Sequence, residues 1–216
     1  MSYISIEGNI GAGKSTLVKI LKEIINDDKI LFIQEPVDEW LKLQDENGEN
    51  ILDKFYADTK SWAYKFQMNA FITRLQRLQK NLIKYKLCIC ERHINTDKNC
   101  FAKQLYEDQN ISEIEWKLYN NWFNWLTSDD RYRKPKGIIY LKVSPEICSR
   151  RINKRNRIEE SGVSLEYLDN IHKKHEEWLS DKKNILVIDG DKDFENNIEY
   201  RKIVINKIKD YLREYL

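Results

Sequence analysis

Eight residues near the start of the chain, Gly8-Asn9-Ile10-Gly11-Ala12-Gly13-Lys14-Ser15, fit the pattern G-x-x-x-x-G-K-[ST] in full. Glycines let a backbone curl until its N–H groups point inward, which makes a cradle for phosphate oxygens. A helix that starts at Lys14 adds the positive end of its dipole to the same spot. In such a loop the Lys14 ammonium reaches the β- and γ-phosphates and the Ser15 hydroxyl serves Mg²⁺, with Thr16 next in line. The pattern, between an apolar run and a helical one, establishes a triphosphate site. It does not by itself name the reaction.

Other chemistry-bearing residues follow apolar runs in the same way. Glu35 ends the run at residues 30–34 and is stopped by Pro36; Glu91 and Arg92 follow the run at residues 87–90. A carboxylate within hydrogen-bond reach can take the proton of an attacking hydroxyl. A basic segment, residues 150–157, could meet phosphate charge. A guanine-binding switch would need N-K-x-D, and Asn153-Lys154-Arg155-Asn156 lacks the aspartate. A motor or transporter ATPase would end its third strand on a lone aspartate, whereas Glu91 followed by Arg92 suggests a small kinase. His172, His175 and Glu176 share helical spacing, but no third histidine lies near, so no metal centre is expected there.

The elements that must position these groups can be read from periodicity. Short apolar runs at residues 3–7, 30–34, 87–90, 137–143 and 185–188 read as strands. Helical spacing follows Lys14 and covers residues 57–85, 165–179 and 194–216; Ser112 with Glu115 forms a capping box, and Pro145 opens a further helix. Strands alternating with helices imply an α/β fold with a five-stranded parallel sheet, whose ligands sit beyond the carboxyl ends of the strands. Residues 91–97 read as a loop.

Composition narrows the class. The chain has 216 residues, a length that suits one domain. With 37 basic and 35 acidic residues the net charge is +2, so no global basic field points to nucleic acid or a membrane surface. No apolar stretch approaches a membrane span, and the first strand follows Met1 so closely that no leader peptide is expected. The four cysteines make no C-x-x-C pair and read as reduced thiols of a cytoplasmic protein.

Six ordered blocks carry a family resemblance: residues 7–16, Glu35-Pro36-Val37 with Trp40, Trp62 with Phe66-Gln67, Glu91-Arg92, residues 151–160, and Leu165-Glu166-Tyr167-Leu168. Over nearly its whole length the chain resembles the deoxynucleoside kinases, the group that holds deoxycytidine, deoxyguanosine and mitochondrial thymidine kinases. The resemblance implies a P-loop kinase fold, with an arginine-rich lid at about residues 151–162, that transfers the γ-phosphate of ATP, or another triphosphate, to the 5′-hydroxyl of a deoxynucleoside with Mg²⁺. It also implies a homodimer built by helix packing, for which the helix bearing Trp116, Trp122 and Trp125 offers an interface.

The resemblance assigns roles as well. Glu35 is the base for the 5′-hydroxyl. Arg92 holds the acceptor's 5′ end and the moving phosphoryl group, and Glu91 helps to organise Mg²⁺. Arg155 and Arg157 meet the donor phosphates, while Arg151, with Asp193 and Phe194, serves the donor base. Tyr56 and Glu160 bind the sugar 3′-hydroxyl, and Tyr56 fills the space of a ribose 2′-hydroxyl. Gln67 pairs with the base edge, Phe66 and Phe101 sandwich the ring, and Val37 and Trp40 line the sugar side. Ala70, Arg74 and Asp97 read the base. An aspartate held by an arginine accepts from an exocyclic amine, as on cytosine or adenine. Thymine presents a carbonyl and a methyl there, so deoxycytidine or purine deoxynucleosides are expected to be favoured over thymidine. Two departures stand out: His93 follows Arg92 where the family usually has serine, and Phe55 stands where methionine or leucine is commoner. The rivals are a thymidylate-like monophosphate kinase, which needs extra arginines for the acceptor phosphate, and a non-catalytic subunit that keeps the fold as a scaffold.

Overall fold

Isoleucine, leucine and cysteine dominate five short runs that pair in parallel: β1 (Ser2–Glu7), β2 (Ile30–Ile33), β3 (Leu87–Glu91), β4 (Gly137–Lys142) and β5 (Ile185–Asp189). The computed structural model describes residues 2–157, 160 and 162–216. The strand order is β2-β3-β1-β4-β5. Ile4 of β1 pairs with Ile89 on one side and Gly137 on the other. Both faces of the sheet are covered by helices, so the central strands are buried throughout and read as continuous apolar runs.

The helices are α1 (Lys14–Ile24), α2 (Val37–Lys42), α3 (Ile51–Ala57), α4 (Thr59–Leu82), α5 (Ile94–Thr96), α6 (Lys103–Glu107), α7 (Glu113–Leu126), α8 (Asp130–Arg133), α9 (Pro145–Arg155), α10 (Leu165–Leu179) and α11 (Ile198–Leu212). From β1 the chain moves toward β2, and from β3 it crosses back to β4. The crevice between these diverging connections opens at the carboxyl ends of β1 and β3, where such sheets bind ligands. One core cluster joins the sheet to α1, α9, α10 and α11. A second joins α2, α3, α4 and α7 and forms the wall that faces the crevice.

Three departures from the sequence reading bear on the site. The helix expected over residues 57–85 is present as α4 but starts at Thr59, because Asp58 ends α3, a helix not expected, and caps α4, its carboxylate accepting from the Ser61 N–H at 3.1 Å. α3 has its own capping box at Asn50 and Asp53, which swings Phe55 and Tyr56 toward the crevice. Residues 94–97, expected as part of a loop, are helical, and a π-helical turn occupies Asp97–Ala102. Such wide turns often mark functional sites, and this one carries Asp97 and Phe101. The closing helix begins at Ile198 because Asn197 caps it, its side chain accepting from Tyr200 N–H at 3.0 Å. The expected box at Ser112 and Glu115 is present. Among the described residues no helix is long and apolar enough to cross a membrane.

Candidate active site

The donor side is built by the turn between β1 and α1. Gly13 precedes the helix at φ 95°, a left-handed value that suits glycine. Gly11 has φ 75°, and a Cβ there would lie 2.6 Å from the Cys148 carbonyl oxygen, so the loop packs directly on α9. Asn9 ties the loop to α10 by donating to the Leu168 carbonyl at 2.8 Å. Lys14 is buried, and its Nζ donates to the Asn9 carbonyl at 2.8 Å. Ser15 Oγ donates to Glu91 Oε1 at 2.6 Å. This hydroxyl and carboxylate are hard oxygen donors beside a phosphate cradle, a set that fits Mg²⁺. Arg151 lies across the loop, donating to the Ala12 carbonyl at 3.0 Å and the Gly190 carbonyl at 2.7 Å. Phe194 lies beside Gly13.

The acceptor side is charged at its floor and aromatic at its walls. Glu35 leaves β2 and accepts from Arg74 Nη2 at 2.5 Å, and the Arg92 Nε stands 3.3 Å away in an ion pair without a hydrogen bond. The other end of the Arg74 guanidinium pairs with Asp97. Arg74 and Asp97 are both buried, which suits charges only when they are paired. The Arg92 guanidinium lies 4.4 Å over the Phe101 ring, and its Nη1 is buried without a partner. Gln67 is buried as well, and its Oε1 has no partner. Phe66 stacks on Phe55 at 4.7 Å and meets Trp40 edge-on at 5.3 Å.

One cavity of about 990 Å³ gathers these groups. Its lining includes Ile10, Gly11, Gly13, Lys14, Ser15 and Thr16 from the donor side, with Arg151, Arg155, Arg157, Asp193 and Phe194. From the acceptor side come Glu35, Val37, Trp40, Tyr56, Phe66, Gln67, Ala70, Arg74, Glu91, Arg92, Asp97, Phe101 and Glu160. Gly8, Asn9 and Ala12 are buried and stand outside this lining. Ile158, Glu159 and Ser161 of the expected lid lie outside the described residues. Arg155 and Arg157 both pair with Glu160, Arg157 Nη1 at 3.0 Å. Sequence reasoning missed Arg77, Lys154 and Tyr167 as lining residues. Arg77 stands three residues after Arg74 and so shares its helix face, a signal that was available. It holds α2 through Asp38 at 2.7 Å, Glu39 at 2.8 Å and the Gln34 carbonyl at 3.2 Å.

A triphosphate cradle and a nucleoside-sized aromatic slot thus share one cavity, with a carboxylate between them. The family model described as deoxynucleoside kinase matches residues 4–213. The chain belongs to the deoxynucleoside kinase family. It is 41% identical to the protein named "Probable deoxycytidine kinase" of Fowlpox virus (strain NVSL), over 98% of this chain and 88% of that one. Identity to deoxycytidine kinase 2 of Gallus gallus is 36%, over 97% of this chain and 89% of its relative. Identity to the mitochondrial deoxyguanosine kinase of Xenopus laevis is 34%, over 97% and 89%. The enzyme is an ATP-dependent kinase of deoxynucleosides.

Charge in this kinase's cavity is set by burial and by neighbours. Burial opposes ionisation of Glu35, but Arg92, Arg74 and Lys14 outweigh it and hold the carboxyl down at about 2. Glu35 is therefore a carboxylate at any working pH. Burial would also lower Arg74, yet Asp97 and Glu35 outweigh it and raise it, so the guanidinium stays charged. Lys14 goes the other way. Burial and then Arg92 push it down to about 8, against the pull of Glu35 and Glu91. A cation with a depressed value loses its charge as pH rises through that value. In the free enzyme the Lys14 ammonium is thus lost above about pH 8. Initial rates at saturating deoxynucleoside should show kcat/KM for ATP falling roughly tenfold per pH unit beyond that point. A profile still flat a full unit higher would contradict this assignment.

Proposed function

We propose that the enzyme transfers the γ-phosphoryl group of ATP to the 5′-hydroxyl of deoxycytidine or a purine deoxynucleoside in preference to thymidine, with Glu35 as the general base. The observation that carries this reading is the buried Arg74 guanidinium, which joins Asp97 at one end and Glu35 at the other. One side chain thereby spaces an acceptor for an exocyclic amine from an acceptor for a hydroxyl proton. Gln67 Oε1, buried and unpartnered, offers the base edge a further contact. The names of the relatives, deoxycytidine and deoxyguanosine kinases, agree with an amine-bearing base.

The chemistry follows from the neighbours. The carboxylate of Glu35 accepts the 5′-hydroxyl proton as the oxygen attacks. Arg92 has an unpaired Nη1 for the acceptor's 5′ end or the moving phosphoryl group. Lys14 and the backbone N–H groups of the cradle balance the charge on the donor phosphates. Ser15 and Glu91 would hold Mg²⁺, which would neutralise charge on the donor phosphates. Tyr56 is half-buried, and desolvation keeps its hydroxyl protonated. With Glu160 it closes the sugar side, where the lack of room favours deoxyribose. Arg155 and Arg157 turn from Glu160 to the phosphates as the lid closes, which frees Glu160 for the 3′-hydroxyl. The four buried free thiols suit a reducing compartment such as the cytoplasm.

α7 supports a homodimer. It buries Tyr119 and Phe123 but exposes Ile114, Leu118, Trp122 and Trp125, the last at 65%. A contiguous apolar face of this kind marks an interaction surface.

Glu35→Gln keeps the shape and removes the base. It should bind deoxynucleoside normally and lose about 10²- to 10⁴-fold in kcat. A variant with wild-type turnover would remove Glu35 from the mechanism, and activity on monophosphates alone would favour a monophosphate kinase. In a panel of the four deoxynucleosides, thymidine should be the poorest acceptor. Arg74→Met combined with Asp97→Ala should raise its kcat/KM, and no rise would count against the base-reading assignment. Sedimentation should give twice the chain mass; a monomer at micromolar concentration overturns the dimer.

A further inference from the structure

His93 directly follows Arg92 and is 1% exposed. Its surroundings stitch β1 to the start of α5. The Arg92 N–H donates to the Ile6 carbonyl at 2.9 Å. The His93 N–H donates to Glu7 Oε1 at 3.0 Å, and Thr96 Oγ1 donates to Glu7 Oε2 at 2.6 Å. The ring is held as firmly as the backbone. Nδ1 accepts from the Asn95 N–H at 3.1 Å and so caps α5. That contact assigns the tautomer: the ring proton sits on Nε2. Nε2 lies 2.6 Å from the Tyr3 hydroxyl and 3.1 Å from the Tyr132 carbonyl. The Tyr3 hydroxyl donates its own proton to that carbonyl at 2.8 Å, which leaves its oxygen to accept from Nε2. The imidazole also stacks on the Tyr3 ring, with centroids 5.3 Å apart. Both ring nitrogens are used, and three separate elements grip them.

Such a grip matters because of what precedes it. Arg92 has φ 64°, a left-handed conformation that a residue with a Cβ adopts only when its surroundings impose it. That turn places the guanidinium over Phe101 and 3.3 Å from Glu35. We infer that His93 is a positioning residue for phosphoryl transfer: by locking the backbone just after the left-handed Arg92, it aims the guanidinium at Glu35 and the reacting groups. The inference rests on the reading that Arg92 acts at the acceptor's 5′ end.

The test uses His93→Ser, Tyr3→Phe, their double variant and Arg92→Lys, each assayed for kcat, for KM of the best deoxynucleoside and for melting temperature. Serine can still cap α5 but cannot reach Tyr3. Removing the Tyr3 hydroxyl breaks the same tie from its other end. His93→Ser should lose roughly tenfold or more in kcat while KM stays within about twofold, because misaiming a transition-state group slows chemistry without touching the base slot. Tyr3→Phe should lower kcat less and should add nothing in the His93→Ser background, as expected for two ends of one tie. A folded His93→Ser enzyme with a lowered melting temperature but wild-type kcat overturns the inference and leaves His93 as core packing. If His93→Ser does not fold, Tyr3→Phe decides alone: a lower kcat at unchanged KM upholds the tie, and an unchanged kcat overturns it. Wild-type turnover in Arg92→Lys would instead overturn the reading of Arg92 and leave the geometry of His93 intact.

Discussion

Charge taken out of water has to be balanced where it lies. At the strand tips of this protein Lys14, Arg74 and Arg92 face Glu7, Glu35, Glu91 and Asp97, all buried except the half-buried Glu35. Leaving one member of such a buried set unpaired costs about 3–5 kcal/mol, a large part of the stability of an ordinary domain. The set is therefore constrained as a whole. Arg74 cannot serve Asp97 without bearing on Glu35, and Arg92 cannot approach Glu35 without the left-handed turn that β1 and His93 enforce. The depressed Glu35 and Lys14 values are two readings of one balance: the carboxylate gains from three cations, and the ammonium loses by burial and by a neighbouring guanidinium.

The sheet supplies the frame for that balance. In the order β2-β3-β1-β4-β5 the ends of β2, β3 and β1 are neighbours, so Glu35, the Glu91–Arg92 pair and the phosphate cradle emerge side by side. No long side chain is needed to bring them together; strand spacing and parallel direction do so. The second helical cluster then stands over the carboxyl ends and contributes the aromatic slot.

What could be read from the sequence was what is local. The cradle is eight consecutive residues, the strands are apolar runs, and the Ser112–Glu115 box and the span of α10 are written in neighbouring positions. The resemblance supplied the acceptor residues that spacing alone would have left as core aromatics. What escaped was settled by contacts between distant positions. α3, too short to show a clear period, is not expected from the pattern, and Asp58, which ends it, sets the start of α4. The π-helical turn depends on packing against α4 and α10, which no pattern in residues 97–102 announces. Nothing local says that Arg74 would bridge two carboxylates 39 and 23 residues away.

Arg74 and Asp97 come from different elements, a long helix and a π-helical turn, and each is the other's counter-ion in a dry setting. On the proposed base-reading role, a lineage drifting toward a different base would have to change both codons. Losing Arg74 first strands the buried Asp97 carboxylate, whereas losing Asp97 first leaves Arg74 with Glu35 as its remaining partner, so the two orders of change are not equivalent. Substrate range in this scaffold is thus guarded by epistasis: a valley in the fitness landscape, dug by electrostatics, separates one specificity from the next.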